Sequence, residues 1–401
     1  MKKLWIILSV LSCFLFHGTT FAAEGDDLKP VSIGIIGDLS GPTSALAEMA
    51  YGIRDYFLYL NDKGGIKGHE IDFLLVDGAE VIPIEVSNYK RLITRQKPVL
   101  IFVWSTGASK ALRRQVNKVD KIPIMSESMS EELVDPKSLP YNFIFGPTYE
   151  DQIRIGLDYA KSQGAKRIAF IGCNLDWCQS PRKRIIAEEY CKKLGMEFLT
   201  DMTYPARPTD LTSEMLRLKK LNPDFIWVND SVEGSIATVR DANKVGLDVS
   251  KFFAVHWSKH DAIPKATGKA AEGYRSFMII PDLAELKARK LKAGDEISEF
   301  LGKHRRKKAG TWYYVRGWLK GVTVVEAINN ALGKTGNKVP NDIKKFRKMV
   351  RDELEGLVNF DCGGGLPLIT YANHQGFIAA KIMQVKNGKW TPISEYLQIR
   401  K

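Results

Sequence analysis

Hydrophobic positions along the chain fall into two alternating patterns. Short unbroken apolar runs suit strands buried on both faces, and longer stretches repeat apolar residues at helical spacing. Val31–Gly37 is the first such run, and Leu46, Ala50, Ile53, Phe57 and Leu60 then recur on one helix face. Gly64-Gly65 closes that helix, as glycine does where the backbone turns left-handed. Strands at Ile71–Val76, Val99–Trp104 and Ile122–Met125 alternate with helices at Ile84–Gln96 and Ala108–Lys118. The same winding then restarts. Helices at Asp151–Ser162, Arg182–Leu194, Leu211–Leu221 and Ser235–Val245 alternate with strands at Arg167–Gly172, Glu197–Tyr204, Phe225–Val228 and Phe252–His256.

Two such series predict an α/β protein with two doubly wound parallel-sheet lobes. Three successive helices follow, at Glu296–Lys307, Trp312–Leu332 and Asn341–Leu354, and they need a sheet to cover. Last come Phe377–Val385 and Trp390–Tyr396 around Asn387-Gly388, a two-residue hairpin signal. Returning the helices to the first lobe and the hairpin to the second assigns residues 30–145 plus 275–355 to lobe one and 146–274 plus 356–400 to lobe two. The chain then crosses three times between them, which makes a three-segment hinge of the flytrap kind.

The first 22 residues differ from the rest: Lys2 and Lys3, an apolar run from Leu4 to Phe16, then Thr20-Phe21-Ala22. This is the anatomy of a secretory signal peptide with cleavage after Ala22, and its run is shorter than the roughly 20 residues that span a bilayer. A lipid anchor at Cys13 is the alternative, opposed by the apolar residues that follow it. The chain is expected to be extracytoplasmic or periplasmic. The composition, 44% hydrophobic and 26% charged over 401 residues, excludes a disordered or fibrous class. A formal charge of +13, or +11 without Lys2 and Lys3, would admit nucleic acid as a partner, but export argues against it. The densest basic cluster, Lys303 to Lys308, reads as a solvated helix end. Of the four remaining cysteines, Cys173 and Cys178 flank a short loop and are the favoured disulfide among three full pairings of the four.

In open parallel sheets, ligands bind beyond the carboxyl ends of the strands. There the first lobe has Asp38-Leu39-Ser40-Gly41-Pro42, Ser105-Thr106-Gly107-Ala108 and Ser126-Glu127-Ser128-Met129-Ser130. Hydroxyls and N–H groups at helix starts suit an anion, although each loop taken singly is also an ordinary helix cap. The second lobe has Asn174 to Gln179, Asn229-Asp230-Ser231 and His256-Trp257-Ser258, a set of rings, amides, an acid and an imidazole.

The segments VSIGIIGDLSGPTSALAEMAYGI, NDKGGIKGHEIDFLLVDG, STGASKAL, KIPIMSESMSEEL, AAEGY, WLKGVTVVEAINNA and GFIAAKIMQVKNGKW, in that order and spacing, carry a resemblance. The chain resembles the periplasmic leucine/isoleucine/valine-binding family of ABC-transporter receptors. The resemblance implies that Ser105, Thr106, Ser128, Met129 and Ser130 hold a ligand carboxylate. It places Leu46 at an apolar wall, Trp177 or Gln179 at the second lobe's aromatic position, and Ser231 near the next contact. Ser40 belongs to the same rim. The family's amine-neutralising acid is replaced by His256, and Asp230 or Glu127 could substitute.

No G-x-G-x-x-G, phosphate-loop or G-x-S-x-G motif occurs, and His256 and His260 lack the H-E-x-x-H glutamate. The expectation is a receptor and not an enzyme, monomeric and without cofactor, metal or nucleic acid. Its partners would be a small carboxylate-bearing solute (a hydrophobic amino acid, an aromatic or aliphatic acid, or an amide) and an ABC permease. The other reading is a sensor of the same fold serving a signalling partner.

Overall fold

The structure, a computed structural model, describes residues 28–304 and 310–397. The expected signal peptide and cleavage site lie outside them, as do Arg305 to Lys308 of the basic cluster. No described helix is long and apolar enough to cross a membrane.

The chain winds through β1 (Val31–Gly37), α1 (Glu48–Asp62), β2 (Ile71–Asp77), α2 (Ile82–Arg95), β3 (Leu100–Val103), α3 (Thr106–Ala111), β4 (Ile124–Ser126) and β5 (Asn142–Ile144). These strands form one parallel sheet in the order β2-β1-β3-β4-β5. Next come α4 (Tyr149–Ser162), β6 (Arg167–Cys173), α5 (Asp176–Ala187), α6 (Tyr190–Lys193), β7 (Glu197–Tyr204), α7 (Thr212–Leu221), β8 (Phe225–Asn229), α8 (Val232–Lys244), β9 (Phe252–Ala254), α9 (Ala262–Thr267) and β10 (Arg275–Met278). The tail is α10 (Leu283–Ala288), α11 (Lys292–Lys303), α12 (Trp312–Gly333), α13 (Ile343–Glu355) and a hairpin of β11 (Lys381–Lys386) and β12 (Lys389–Pro392). The second sheet has the order β12-β11-β10-β9-β8-β6-β7, parallel up to β10 and antiparallel in the hairpin.

The division between lobes departs from the expectation in two places. β10 pairs with β9 and β11, so the chain leaves lobe two after Met278 and not before Arg275. Residues past α13 stay with lobe one, where Gln375 bridges to Ile144 and His374 Nδ1 lies 2.8 Å from the Asn142 carbonyl. Three crossings remain, after β5, after β10 and before β11. β5 and β10, short and with weak alternation, are the two strands that the sequence reading missed. The third-lobe-one helix is also shorter than expected, ending at Ala111 before a separate wide turn over Gln115–Asp120.

α12 is apolar almost all round and covers the first sheet by packing on α1. The two helices touch backbone to backbone. A Cβ on Gly317 would sit 2.0 Å from the Met49 carbonyl oxygen, and one on Gly52 would sit 2.1 Å from that of Tyr314. Only hydrogen fits at either position, which lets α12 run close enough to bury Trp318 and Leu319. At the end of α11, Lys303 and His304 pair with Asp62, as a helix-end cluster would.

Candidate functional site

In a 2-1-3-4-5 sheet, the strand order reverses between β1 and β3, and their carboxyl ends splay apart into a crevice. The second sheet has the matching reversal between β6 and β8. A narrow cavity of about 20 Å³ lies where the two crevices face each other, the jaws being closed down on it. Thr43, Leu46, Met49, Glu80, Trp104, Ser105, Thr106 and Glu127 line it from lobe one, and Tyr149, Trp177 and Trp257 from lobe two. The jaws touch around it: Lys110 Nζ on α3 lies 2.9 Å from Asp176 Oδ2 on α5. Arg207 reaches across from the loop after β7 to the Gly41 carbonyl and to Ser44 Oγ at 3.3 Å.

Of the residues singled out from sequence, Leu46, Ser105, Thr106 and Trp177 line this cavity. Ser105 Oγ accepts from the Ala108 N–H at 3.1 Å and so caps α3, and its hydroxyl donates to the Glu85 carboxylate. Thr106 Oγ1 and Ser128 Oγ are 2.5 Å apart, one donating to the other. Ser128 therefore stands behind Thr106, and Met129 and Ser130 are buried deeper, outside the lining.

The other candidates sit elsewhere. Ser40 donates to Asp77 Oδ2 at 2.6 Å on the exposed rim. Gln179 donates to the Asn174 carbonyl, because α5 already begins at Asp176 where a loop was expected. Asp230 is buried, accepts from the Ser231 N–H at 2.6 Å, and has its carboxyl pushed up to about 6 by desolvation. Ser231 only opens α8. His256 is also buried. Its Nδ1 lies 2.8 Å from Gln152 Oε1, and its ring lies 3.9 Å from that of Trp257, tilted by 40°. Desolvation, with Arg316 and Lys320 nearby, lowers its pKa well below the ordinary value, so it is neutral and supports the tryptophan from behind. Cys173 and Cys178 form a disulfide, which ties the start of α5 to the end of β6 and so places Trp177. Cys191 and Cys362 are buried free thiols.

Sequence reading missed the charged wall. The strand-end loops of β1, β3 and β4 stand out in the sequence by their hydroxyls, whereas the turn after β2, Gly78-Ala79-Glu80, has none and yet carries Glu80 into the cleft. Ala79 and Glu80 both have positive φ, +50° and +55°, a conformation side chains seldom adopt and one that concentrates at functional sites. Gly41 lets the first loop lie on this turn, since a Cβ there would meet the Ala79 carbonyl oxygen at 2.2 Å. Glu80 Oε2 lies 3.3 Å from Thr43 Oγ1, which accepts from Trp104 Nε1 at 2.9 Å and donates to Asp38 Oδ2 at 2.6 Å. Desolvation and the neighbouring charges of Glu85 and Asp38 push the Glu80 carboxyl up to about 8. Glu85, which accepts from the Ser105 N–H at 3.0 Å, is pushed up to about 7, chiefly by desolvation.

Glu127 is held differently. Its Oε2 is 2.6 Å from Lys320 Nζ and 3.7 Å from Arg316 Nη2, both on α12. Burial lowers Lys320 to about 7, against the pull of Glu127. The Arg316 guanidinium lies 4.6 Å over the Trp257 ring. Trp257 Nε1 donates to Tyr149 Oη at 3.1 Å, and the Tyr149 and Trp177 rings are 5.8 Å apart. Tyr149 follows the first crossing between lobes. Such a segment necessarily borders the cleft, a signal that was present in the sequence.

Comparison with known proteins agrees with this architecture. A family model described as periplasmic binding protein matches residues 30–389. No curated protein sequence matches. Among solved structures, a branched chain amino acid ABC transporter from Thermus thermophilus with bound valine superposes with TM-score 0.82 at 20% identity, covering 93% of this chain and 97% of that one. A substrate binding protein of an ABC transporter from Aeropyrum pernix gives 0.81 at 21%, covering 93% and 96%. A fatty acid ABC transporter substrate-binding protein from Thermomonospora curvata gives 0.78 at 16%, covering 92% and 93%. At such identities the likeness establishes the shared fold. Matched over nearly its whole length by the family model, the chain belongs to the periplasmic binding protein family, in its leucine/isoleucine/valine-binding type.

Proposed function

We propose that this protein is the extracytoplasmic receptor of an ABC importer, trapping one small solute between its lobes and presenting the closed form to a membrane permease. One observation carries the reading: a single cleft at the carboxyl ends of both sheets takes its walls from both jaws. A solute touching both jaws stabilises the closed state over the open one by its differential affinity, and closure is the signal that a permease reads. About −8 kcal/mol of binding free energy at a micromolar Kd leaves ample room to bias a hinge by a few kcal/mol. The solved relatives named as ABC-transporter binding proteins support the same use of the fold.

The walls describe the solute. Trp104, Tyr149, Trp177, Trp257, Leu46 and Met49 favour an apolar or aromatic body. The hydroxyl hydrogen left over within the Thr106–Ser128 pair suits an acceptor oxygen, such as a carboxylate or amide. The reading requires no catalytic chemistry and no cofactor, and a monomer suffices.

The test is a thermal-shift screen of amino acids, aromatic and aliphatic acids, and amides, repeated with Trp177→Ala. A true solute raises the Tm of the wild type, because it binds the folded state alone. That shift disappears in Trp177→Ala while the far-UV circular dichroism is unchanged. A shift that survives the substitution places the solute outside this cleft and refutes the reading.

A further inference from the structure

The cleft has an acidic side with no basic counterpart on its walls. Among the described residues, the lining includes two carboxylates, Glu80 and Glu127, four aromatic rings and no lysine, arginine or histidine. The two acids differ in their surroundings. Glu127 is backed by Lys320 and Arg316. The charges felt most strongly by Glu80 are those of Glu85 and Asp38, which share its sign. Asp38 accepts from the N–H groups of Gly41 and Thr43 and from the Thr43 hydroxyl, which also reaches Glu80.

Two further observations point to a ligand and not merely to a cluster of acids. Glu127 is 4% exposed, lines the cavity, and leaves Oε1 without a hydrogen-bond partner among the described residues. The rings of Trp104, Tyr149, Trp177 and Trp257 enclose the same space, and the negative face of an aromatic ring attracts a cation once both are out of water. An anion entering this space would meet the unpartnered Glu127 oxygen and no lysine, arginine or histidine on the walls. A cation would meet acids at one end and ring faces around it.

We propose that the solute carries a positively charged organic nitrogen, seated between the four aromatic side chains with Glu80 as its counter-ion. The counter-charge thus comes from the turn after β2 in lobe one, and the His256 position of lobe two contributes packing alone. Burial and the neighbouring acids favour a protonated Glu80 carboxyl in the empty cleft. An arriving cation reverses that balance, and Glu80 gives up its proton on binding. This inference rests on the receptor reading above and narrows its ligand.

Matched pairs test it, with tryptophan fluorescence as the readout of the cleft. Choline is compared with 3,3-dimethylbutan-1-ol, leucinamide with 4-methylpentanamide, and phenylalaninamide with 3-phenylpropanamide, each pair differing in the charged nitrogen. At least one cation is expected to bind about tenfold or more tightly than its neutral partner. In Glu80→Gln the preference falls to within about threefold, while Glu80→Asp retains part of it. Equal or better binding of the neutral partners, no binding by any cation, or a preference that survives Glu80→Gln overturns the inference. Each of those results leaves the receptor reading intact if any solute gives a thermal shift that Trp177→Ala removes. Loss of every such shift refutes the receptor reading instead.

Discussion

Glu80 makes a measurable contribution to stability that does not depend on knowing the solute. Its carboxyl is raised from an ordinary 4.5 to about 8 in the folded protein, by desolvation first and then by Glu85 and Asp38. Between those two values the native state holds the proton more tightly than the unfolded chain. Stability therefore falls as pH rises across that window, and levels off above it. At neutral pH the gap spans about 2.5 units, or about 3 kcal/mol at 1.36 kcal/mol per unit. The side chain is partly open to the cleft, so solvent reduces the effect to about 1 to 2 kcal/mol. Glu80→Gln keeps the shape and removes the ionisation. Urea unfolding of both proteins at about pH 5 and about pH 8 should show midpoints that separate as pH rises, with the glutamine variant the more stable at the higher value. Other acids with raised values, such as Glu85 and Glu150, act with the same sign in both proteins and largely cancel in the difference. Parallel pH profiles, or a glutamine variant less stable at pH 8, would show that Glu80 is solvated or paired with a cation and would refute the reasoning. A destabilising acid held in a left-handed turn is what a site built for a ligand, at some cost to the empty protein, looks like.

The other predictions concern how the site is held. Gly317→Ala brings a methyl to 2.0 Å from the Met49 carbonyl oxygen and forces α1 from α12, so a loss of about 3 kcal/mol is expected in the urea midpoint; a loss below about 1 kcal/mol would show that the helices slide freely. Replacing Cys173 and Cys178 together by serine releases a loop closed over a sequence separation of 5, worth about 2 kcal/mol by chain entropy. Because Trp177 lies inside that loop, any solute found in the screen should also bind more weakly to the double variant. Unchanged unfolding and affinity would mean that packing alone positions the start of α5.

Much of the architecture was legible from periodicity. Buried parallel strands such as β1, β6 and β8 must be continuously apolar, because both faces are covered, and helices such as α12 must show a repeating apolar face. Turn chemistry marked the hairpin at Asn387-Gly388, and the short spacing of Cys173 and Cys178 marked their bridge. Periodicity could not place β5 and β10, three and four residues long, since so short a run has no detectable period. Their sheet membership depends on which neighbours donate hydrogen bonds, and that moved the lobe boundaries.

At the site, the carboxyl-end rule picked out the loops that carry Ser105, Thr106 and Trp177, the family resemblance picked out Leu46, and all four line the cavity. Whether a hydroxyl or acid in such a loop faces the cavity or turns back into the protein is a matter of partners distant in the chain. Ser128 is held behind Thr106, Asp230 turns to its own helix start, and Glu127 meets α12 nearly two hundred residues later. The charge of the cleft likewise belongs to the tertiary structure. Glu80, Glu85 and Asp38 are ordinary acids along the chain, and only folding brings them together, where burial first and neighbouring charge second raise the pKa of Glu80 and Glu85.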